Sequence, residues 1–562
     1  MKTPNVSRTV LVAGAGAVLA ATALLYVPEL LGQDPPPPPS PAERAAIAAH
    51  AGAPASLPDL AALISDREKW LRDHPDDDSS WARLGAAYTE RGTRLGDVRD
   101  YQRADRALRR SLAERPAASG NLDAQLGLGA LAGARGDWRT AKEWGERVRK
   151  ADPKRWPVYP VLIDAYNGLG DHKAARKAVE SLEGLHSGAM VRGLAAQNYR
   201  DRGWREDADA AALAAAALAR TDAEKTPALV RLGDLAWERG EPEEAVERYG
   251  AALRLVPDHA PALAGRARAL AALGRGDDAL RDWRMVLARL PLPEYLLDAG
   301  ELHEALGLDG DARALYERLR TSAPPSAEVS LVLLEADHGD PVAAAARMRA
   351  EWARGHRSLR ATDAMAWALF RSGQTKEALG YAKLATEEGL RSALFAYHRG
   401  EIERALGLEG QARRHLAEAL RINPAFSPLL APRAEEALTE LGEPSDELPR
   451  ELRPREPVRP RGTDASSGTG TGPSAGTGTR PGKPSGAGRP SSASPETAAP
   501  GRGSDTGRGT GSGGGSGAAS GKPTERAPEK PGRAEKPERP ERTEKPAGSP
   551  SGNSGERPGG RG

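Results

Sequence analysis

The chain contains no cysteine. That absence excludes disulfides, thiolate metal sites, thiol nucleophiles and lipoprotein attachment together, and an oxidising compartment would do the chain no harm. Phenylalanine is nearly missing and aromatic residues make up 4% of the chain, too few for a large conventional core. Charge of one sign is lacking as well: the formal net charge is +2, with no bias toward nucleic acid or acidic partners. Long apolar runs are confined to residues 9–27, and beyond Val458 there is no Val, Ile, Leu, Met or aromatic residue.

Recognisable chemistry is also scarce. The histidines are scattered, and none stands in H-E-x-x-H or another zinc spacing; His303-Glu304 lacks the second histidine. Gly127-Leu128-Gly129 and Gly14-Ala15-Gly16 follow no strand, so they read as helix packing and not as nucleotide loops. Gly482-Lys483 and Gly521-Lys522 precede proline and lack the upstream glycine of a P-loop. No G-x-S-x-G stands in an ordered context, and Glu243-Glu244 lies at a helix start, where it favours the dipole. The sequence therefore carries no catalytic constellation and implies no metal, cofactor or small-molecule substrate.

What is present is a period. Ala104, Ala141, Ala175, Ala208, Ala245, Ala279, Ala312, Ala344, Ala378 and Ala412 recur about every 34 residues. Two antiparallel helices approach closely only where side chains are small, which accounts for Gly or Ala at 85, 129, 233, 267, 300, 366 and 400 facing those alanines. Tyr249, Trp283 and Tyr316 then fill the wider gap between units. Gly136, Gly170, Gly203, Gly240, Gly373 and Gly410 are expected in the turn between the two helices, where a left-handed residue costs least. Pro153, Pro257 and Pro424 close their units.

With Leu232, Gly233, Ala236, Ala245, Tyr249, Ala252 and Pro257 in one unit, and Leu270, Ala279, Trp283, Val286 and Pro291 in the next, the pattern resembles the tetratricopeptide repeat. Trp81, Leu84, Gly85 and Tyr88 match its first helix, with Ala104, Leu108 and Pro116 in the second after roughly seven extra residues. The resemblance implies an all-α solenoid of about ten helix-turn-helix repeats over residues 57–442, led by a capping helix that ends at His74-Pro75. It is weakest at residues 326–355, where a shortened first helix suggests a kink or register break.

In this family the first helices line a concave groove, and the residues one and four after the small Gly/Ala commonly touch ligand. Carried over, this rule picks out Asp164, Asn167, Gln197, Arg200, Asp234 and Trp237, then Trp367, Phe370, Glu401 and Arg404, with Tyr397 just before its glycine. Such a mixture suits an extended peptide, whose backbone polar groups need partners while aromatics supply anchors. Trp367 and Phe370 are equally what packing against a neighbouring helix requires, and the polar positions are equally what a solvated face requires. The family's carboxylate clamp for a chaperone's C-terminus needs a Lys and Asn pair, and the matching positions hold Ala82 with Ala86, Val230 with Asp234, and Ala264 with Arg268.

Outside the array, residues 1–8 form a basic leader with Lys2 and Arg8, and the uncharged run at residues 9–27 reads as a transmembrane anchor or a signal peptide cut near Ala21-Thr22-Ala23. Retention is favoured because apolar residues continue through Leu30 and Leu31. The charge bias places the repeats outside the cytoplasmic membrane, secreted if the segment is cut. Residues 28–56 read as a linker with a polyproline II spacer at 35–39. Residues 443–562, with about 20 basic and 15 acidic residues, bury too little apolar surface to offset ordering entropy and read as disordered.

The layout is similar to membrane-anchored repeat proteins of actinobacteria. Two functions fit it: a non-enzymatic scaffold at the outer face of the membrane that binds proteins or peptides in its groove, or an assembly factor that presents client apoproteins to export or cofactor-attachment machinery.

Overall fold

The computed structural model describes residues 37–322 and 328–442. The segment at residues 9–27 and the tail from residue 443 lie outside the described residues. Among the described residues no helix is long and apolar enough to cross a membrane.

Among the described residues every element longer than a single turn is an α-helix. A leading pair, α1 (Pro41–His50) and α2 (Leu57–Asp73), starts the chain. α1 lies inside the stretch read as a linker; it buries Ala45, and Arg44 bonds Asp59 of α2. Ten antiparallel pairs follow. They are α3 (Asp78–Leu95) with α4 (Val98–Glu114), α5 (Leu122–Ala134) with α6 (Trp138–Ala151), and α7 (Val158–Gly168) with α8 (His172–Leu185). Next come α9 (Ala189–Asp201) with α10 (Arg205–Leu218), α11 (Asp222–Glu238) with α12 (Pro242–Leu255), and α13 (Ala260–Ala272) with α14 (Gly276–Arg289). Then come α15 (Pro293–Ala305) with α16 (Asp309–Ser322), α17 (Glu328–His338) with α18 (Pro341–Arg354), α19 (Leu359–Arg371) with α20 (Thr375–Glu387), and α21 (Ala393–Ala405) with α22 (Glu409–Ile422). A single helix, α23 (Leu430–Glu440), covers the last pair.

The periodic alanines hold the pairs together. All ten are buried, none more than 2% exposed, because each sits where two helices cross closest. Tyr249 shows how large and small residues interlock. Its ring lies against Gly233 of its own repeat and Gly265 of the next, and its hydroxyl donates to Asp234 Oδ1 at 2.8 Å. Trp283 likewise meets Tyr295 of the following repeat, and Tyr316 stacks on His338.

Turn chemistry is local. In Gly96-Asp97, Gly136-Asp137 and Gly170-Asp171 the glycine takes positive φ and ends one helix, while the aspartate accepts a backbone N–H and starts the next. Gly203, Gly240 and Gly373 are left-handed as expected, but Gly410 is not: it lies inside α22, and Gly407 (φ 71°) makes that turn. α6, α12 and α22 each stop two residues before Pro153, Pro257 and Pro424. In the weak repeat, α17 runs only 11 residues.

The stack coils until its turns touch. The inter-helix turns of the early repeats meet loops about 190 to 220 residues later. Arg139 Nη2 donates to the Ala353 carbonyl at 2.8 Å, and His356 Nε2 to the Gly136 carbonyl at 2.7 Å. The Arg357 N–H donates to the Gly168 carbonyl at 2.8 Å, and Asn423 Nδ2 to the Trp237 carbonyl at 2.8 Å. Gly203 abuts the backbone of Gly389. This seam joins repeats that are distant in sequence, beyond the nearest-neighbour contacts that hold a simple solenoid.

Candidate functional site

The first helix of each pair faces the inside of the coil, and its polar side chains form a ladder across neighbouring repeats. On α7, Asp164 is open to water yet surrounded by protein, as a side chain inside a groove must be; that enclosure pushes its carboxyl up to about 6. Asn167 stands one turn further along, half-buried. On α9, Gln197 donates to Asp201 Oδ1 at 2.7 Å. Arg200 bonds Asp201 at 2.9 Å and reaches across to Glu238 of α11, with Nε 2.7 Å from Oε1.

Asp234 of α11 is enclosed, and its carboxyl is raised by burial despite Arg231 and the Tyr249 hydroxyl. Trp237 is half-buried, and its carbonyl is spent on Asn423 across the seam. The ladder continues through residues that the sequence reading did not select. Arg268 of α13 bonds Asp298 of α15 at 2.7 Å. Glu301 accepts a bond from Ser427 at 3.4 Å; burial, with Asp298 and Asp337 nearby, pushes its carboxyl up to about 8. Applying the one-and-four rule to α13 and α15 would have found Arg268, Glu301 and Glu304. Asp298 falls off the rule, and Asp337 is displaced from it because α17 is short.

The C-terminal candidates divide into two groups. Trp367 is 2% exposed and Tyr397 3% exposed, so neither presents a surface to a ligand in this state. Trp367 Nε1 donates to Asp337 Oδ2 at 3.0 Å, and its ring stacks on His398 at 4.1 Å and tilts against Phe370 at 5.3 Å. Tyr397 packs on Phe426. Glu401 is buried and bonds Arg404 at 2.8 Å, whereas Arg404 is exposed and reaches Glu440 at 3.3 Å. The structure thus leaves Asp164 exposed and Asn167, Gln197, Arg200, Asp234 and Trp237 half-buried, and it places Trp367, Phe370 and Tyr397 in a packed aromatic cluster.

This wall presents charged and amide groups at successive repeats. Its arginines are paired to carboxylates on adjacent helices, a fixed pattern of charge at successive repeats. Among the described residues no His, Asp or Glu trio converges as a metal site. Two small crevices lie at the seam, one beside Arg200 and Arg391 and one beside Asn167 and Glu388, and each has room for about one water.

The family model described as tetratricopeptide repeat matches residues 236–291. Similar solved structures include a tetratricopeptide repeat protein from Parabacteroides merdae at 19% identity, covering 45% of this chain and 98% of that one, with a TM-score of 0.28. Pseudomonas aeruginosa PilF is 18% identical over 36% of this chain and 92% of its own, with a TM-score of 0.30. A human IFIT1 dimer with PPP-AAAA is 14% identical over 71% of this chain and 88% of its own, with a TM-score of 0.38. No curated protein matches the chain. The matched residues run from the end of α11 to the end of α14, and the same pair of helices recurs along the described residues on either side. Residues 236–291 of the chain are thus similar to the tetratricopeptide repeat, within an array of like helix pairs.

Proposed function

We propose that the protein is a non-enzymatic interaction scaffold whose inner wall captures partner proteins or extended peptides. The observation that carries this reading is the accessible ladder from Asp164 to Trp237. Within it Arg200 is already held by Glu238 of the next repeat and Gln197 by Asp201 of its own helix, so a ligand meets groups that need little further ordering. A photo-crosslinking side chain at Asp164 or Asp234 should trap partners, and one at Glu247, on the exposed face of α12, should not. Equal trapping at Glu247 would place the binding surface elsewhere.

The membrane part of the reading rests on the residues 9–27 run and on Lys2 and Arg8. The scaffold is held by its N-terminus at the outer face of the cytoplasmic membrane. Protease added to intact, wall-stripped cells should digest the repeats, and protection of the repeats would reverse the topology. Affinity capture from membranes separates this scaffold from an assembly factor: folded complexes support the first, and unfolded or cofactor-free clients support the second.

A further inference from the structure

Four arginines line one seam crevice, Arg200, Arg205, Arg239 and Arg391, with the Glu238 carboxylate among them. Two of the four are already compensated. Arg200 takes both oxygens of Glu238, its Nε 2.7 Å from Oε1 and 2.8 Å from Oε2, and Arg239 is paired with Asp209, Glu241 and Glu244. The other two are not. Arg205, at the start of α10, bonds the Glu238 carbonyl at 3.4 Å, a dipole and not a charge. Arg391, in the loop between α20 and α21, comes no nearer than 3.5 Å to Glu418, a carboxylate that Arg421 shares at 3.7 Å. Arg391 Nε is buried and has no acceptor among the described residues. These two guanidiniums face each other across the seam, since the Arg391 stem packs against Gly203. Burial, and then the charges of Arg391 and Arg239, push the Arg205 guanidinium below its ordinary value, with Glu238 and the exposed Glu206 offsetting part of that.

We propose that this crevice is a halide site, in which one chloride bridges Arg205 and Arg391 and fastens the turn before α10 to the loop before α21. Size selects the class of anion. The crevice has room for about one water, and a chloride ion is a single atom little larger than a water molecule, whereas sulfate, phosphate or a peptide carboxylate brings more atoms than the space admits. Leu235 and Leu390 supply apolar walls, which strengthen the attraction between the ion and the two guanidiniums. A halide accepts from several N–H donors at once without a fixed direction, so it serves the buried Arg391 Nε and Arg205 together. The site does not depend on what the inner wall captures.

Hydrogen exchange of the full chain tests this, with bulky sodium gluconate replaced by sodium chloride up to about 0.15 M at constant ionic strength, so that general screening does not change. Amides at residues 203–208 and 389–394 should gain about tenfold in protection, the gain that a Kd of about 15 mM gives at that concentration. Amides of α13 should not change. Arg391→Gln removes one of the two opposed charges, so its seam should ignore chloride and in gluconate should be protected at least as well as the wild type. Equal seam protection of the wild-type chain in the two salts would overturn the site and leave a water in the crevice. So would an equal gain with sodium sulfate, or a chloride response that persists in Arg391→Gln, with circular dichroism confirming that the variant is folded.

Discussion

Replacing Gly265 with alanine adds one methyl group at the point where α13 crosses Tyr249. A Cβ built there stands 2.7 Å from the Tyr249 hydroxyl and closer still to ring carbons, so the ring would have to move by about 1 Å to reach ordinary contact. It has nowhere to go. Gly233 holds its other side, where a Cβ would stand 2.6 Å away, and its hydroxyl is tied to Asp234. Overpacking of this kind costs roughly 1–3 kcal/mol, and the contact argues for the upper half of that range. Alanine returns about 1 kcal/mol of helix propensity. The net expectation is a loss of about 1–2 kcal/mol in urea denaturation followed by circular dichroism. Gly250→Ala, one residue after Tyr249, is the matched control: its nearest atom is the far end of Arg254 at 3.9 Å, so it should stabilise by about 0.5–1 kcal/mol. In a Tyr249→Ala background the cost of Gly265→Ala should disappear. If Gly265→Ala stabilises as Gly250→Ala does, or costs the same without the tyrosine ring, the packing argument fails.

Other outcomes follow from the same geometry. Ala245→Leu or Ala279→Leu should lower stability by about 1–3 kcal/mol, and neutrality at both sites in the same melts would mean that the repeat frame is misplaced. Trp367→Ala should cost about 3–5 kcal/mol, because it empties a buried aromatic cluster, whereas Arg404→Ala should leave melting within about 0.5 kcal/mol of wild type; equal losses would contradict the difference in burial. The folded chain holds a proton on Glu301 up to about pH 8 that the unfolded chain releases near 4.5, so this group makes stability fall as pH rises through that window. Glu301→Gln should remove that slope and raise the melting temperature at about pH 8, and an unchanged slope would assign it to other groups.

Much of the architecture was legible because small residues do one job in this fold. Ten alanines at one spacing are enough to count ten helix pairs, since no other arrangement needs a small side chain at each crossing. The turn at Gly407 was misassigned to Gly410 because both glycines flank Leu408 and Glu409, and only the backbone conformation tells a turn from a first helical residue. Trp367 and Tyr397 illustrate a different limit. Trp367 follows its small residue as Asp234 does, yet its burial depends on Asp337 and His398 of neighbouring repeats, and Tyr397 is covered by Phe426 of the final loop. Position within a repeat says which way a side chain points. What covers it is decided by the coil, and the seam that closes the coil has no periodic signal at all.

That seam has a consequence for how such a chain can change. Repeat arrays ordinarily lengthen or shorten by whole units, since each unit needs only its neighbours. Here Gly170 and Gly203 lie so close to the backbone of Arg357 and Gly389 that a Cβ at either would collide with a carbonyl oxygen, and a Cβ at Gly240 would stand 3.1 Å from the Ile422 carbonyl oxygen, a tight but lesser contact. Losing or gaining one unit between α7 and α19 would bring the wrong loop to each of these glycines. The number of repeats between the two edges of the seam is therefore as fixed as the spacing of residues in a strand pair, and units can be added or lost without penalty only beyond its ends.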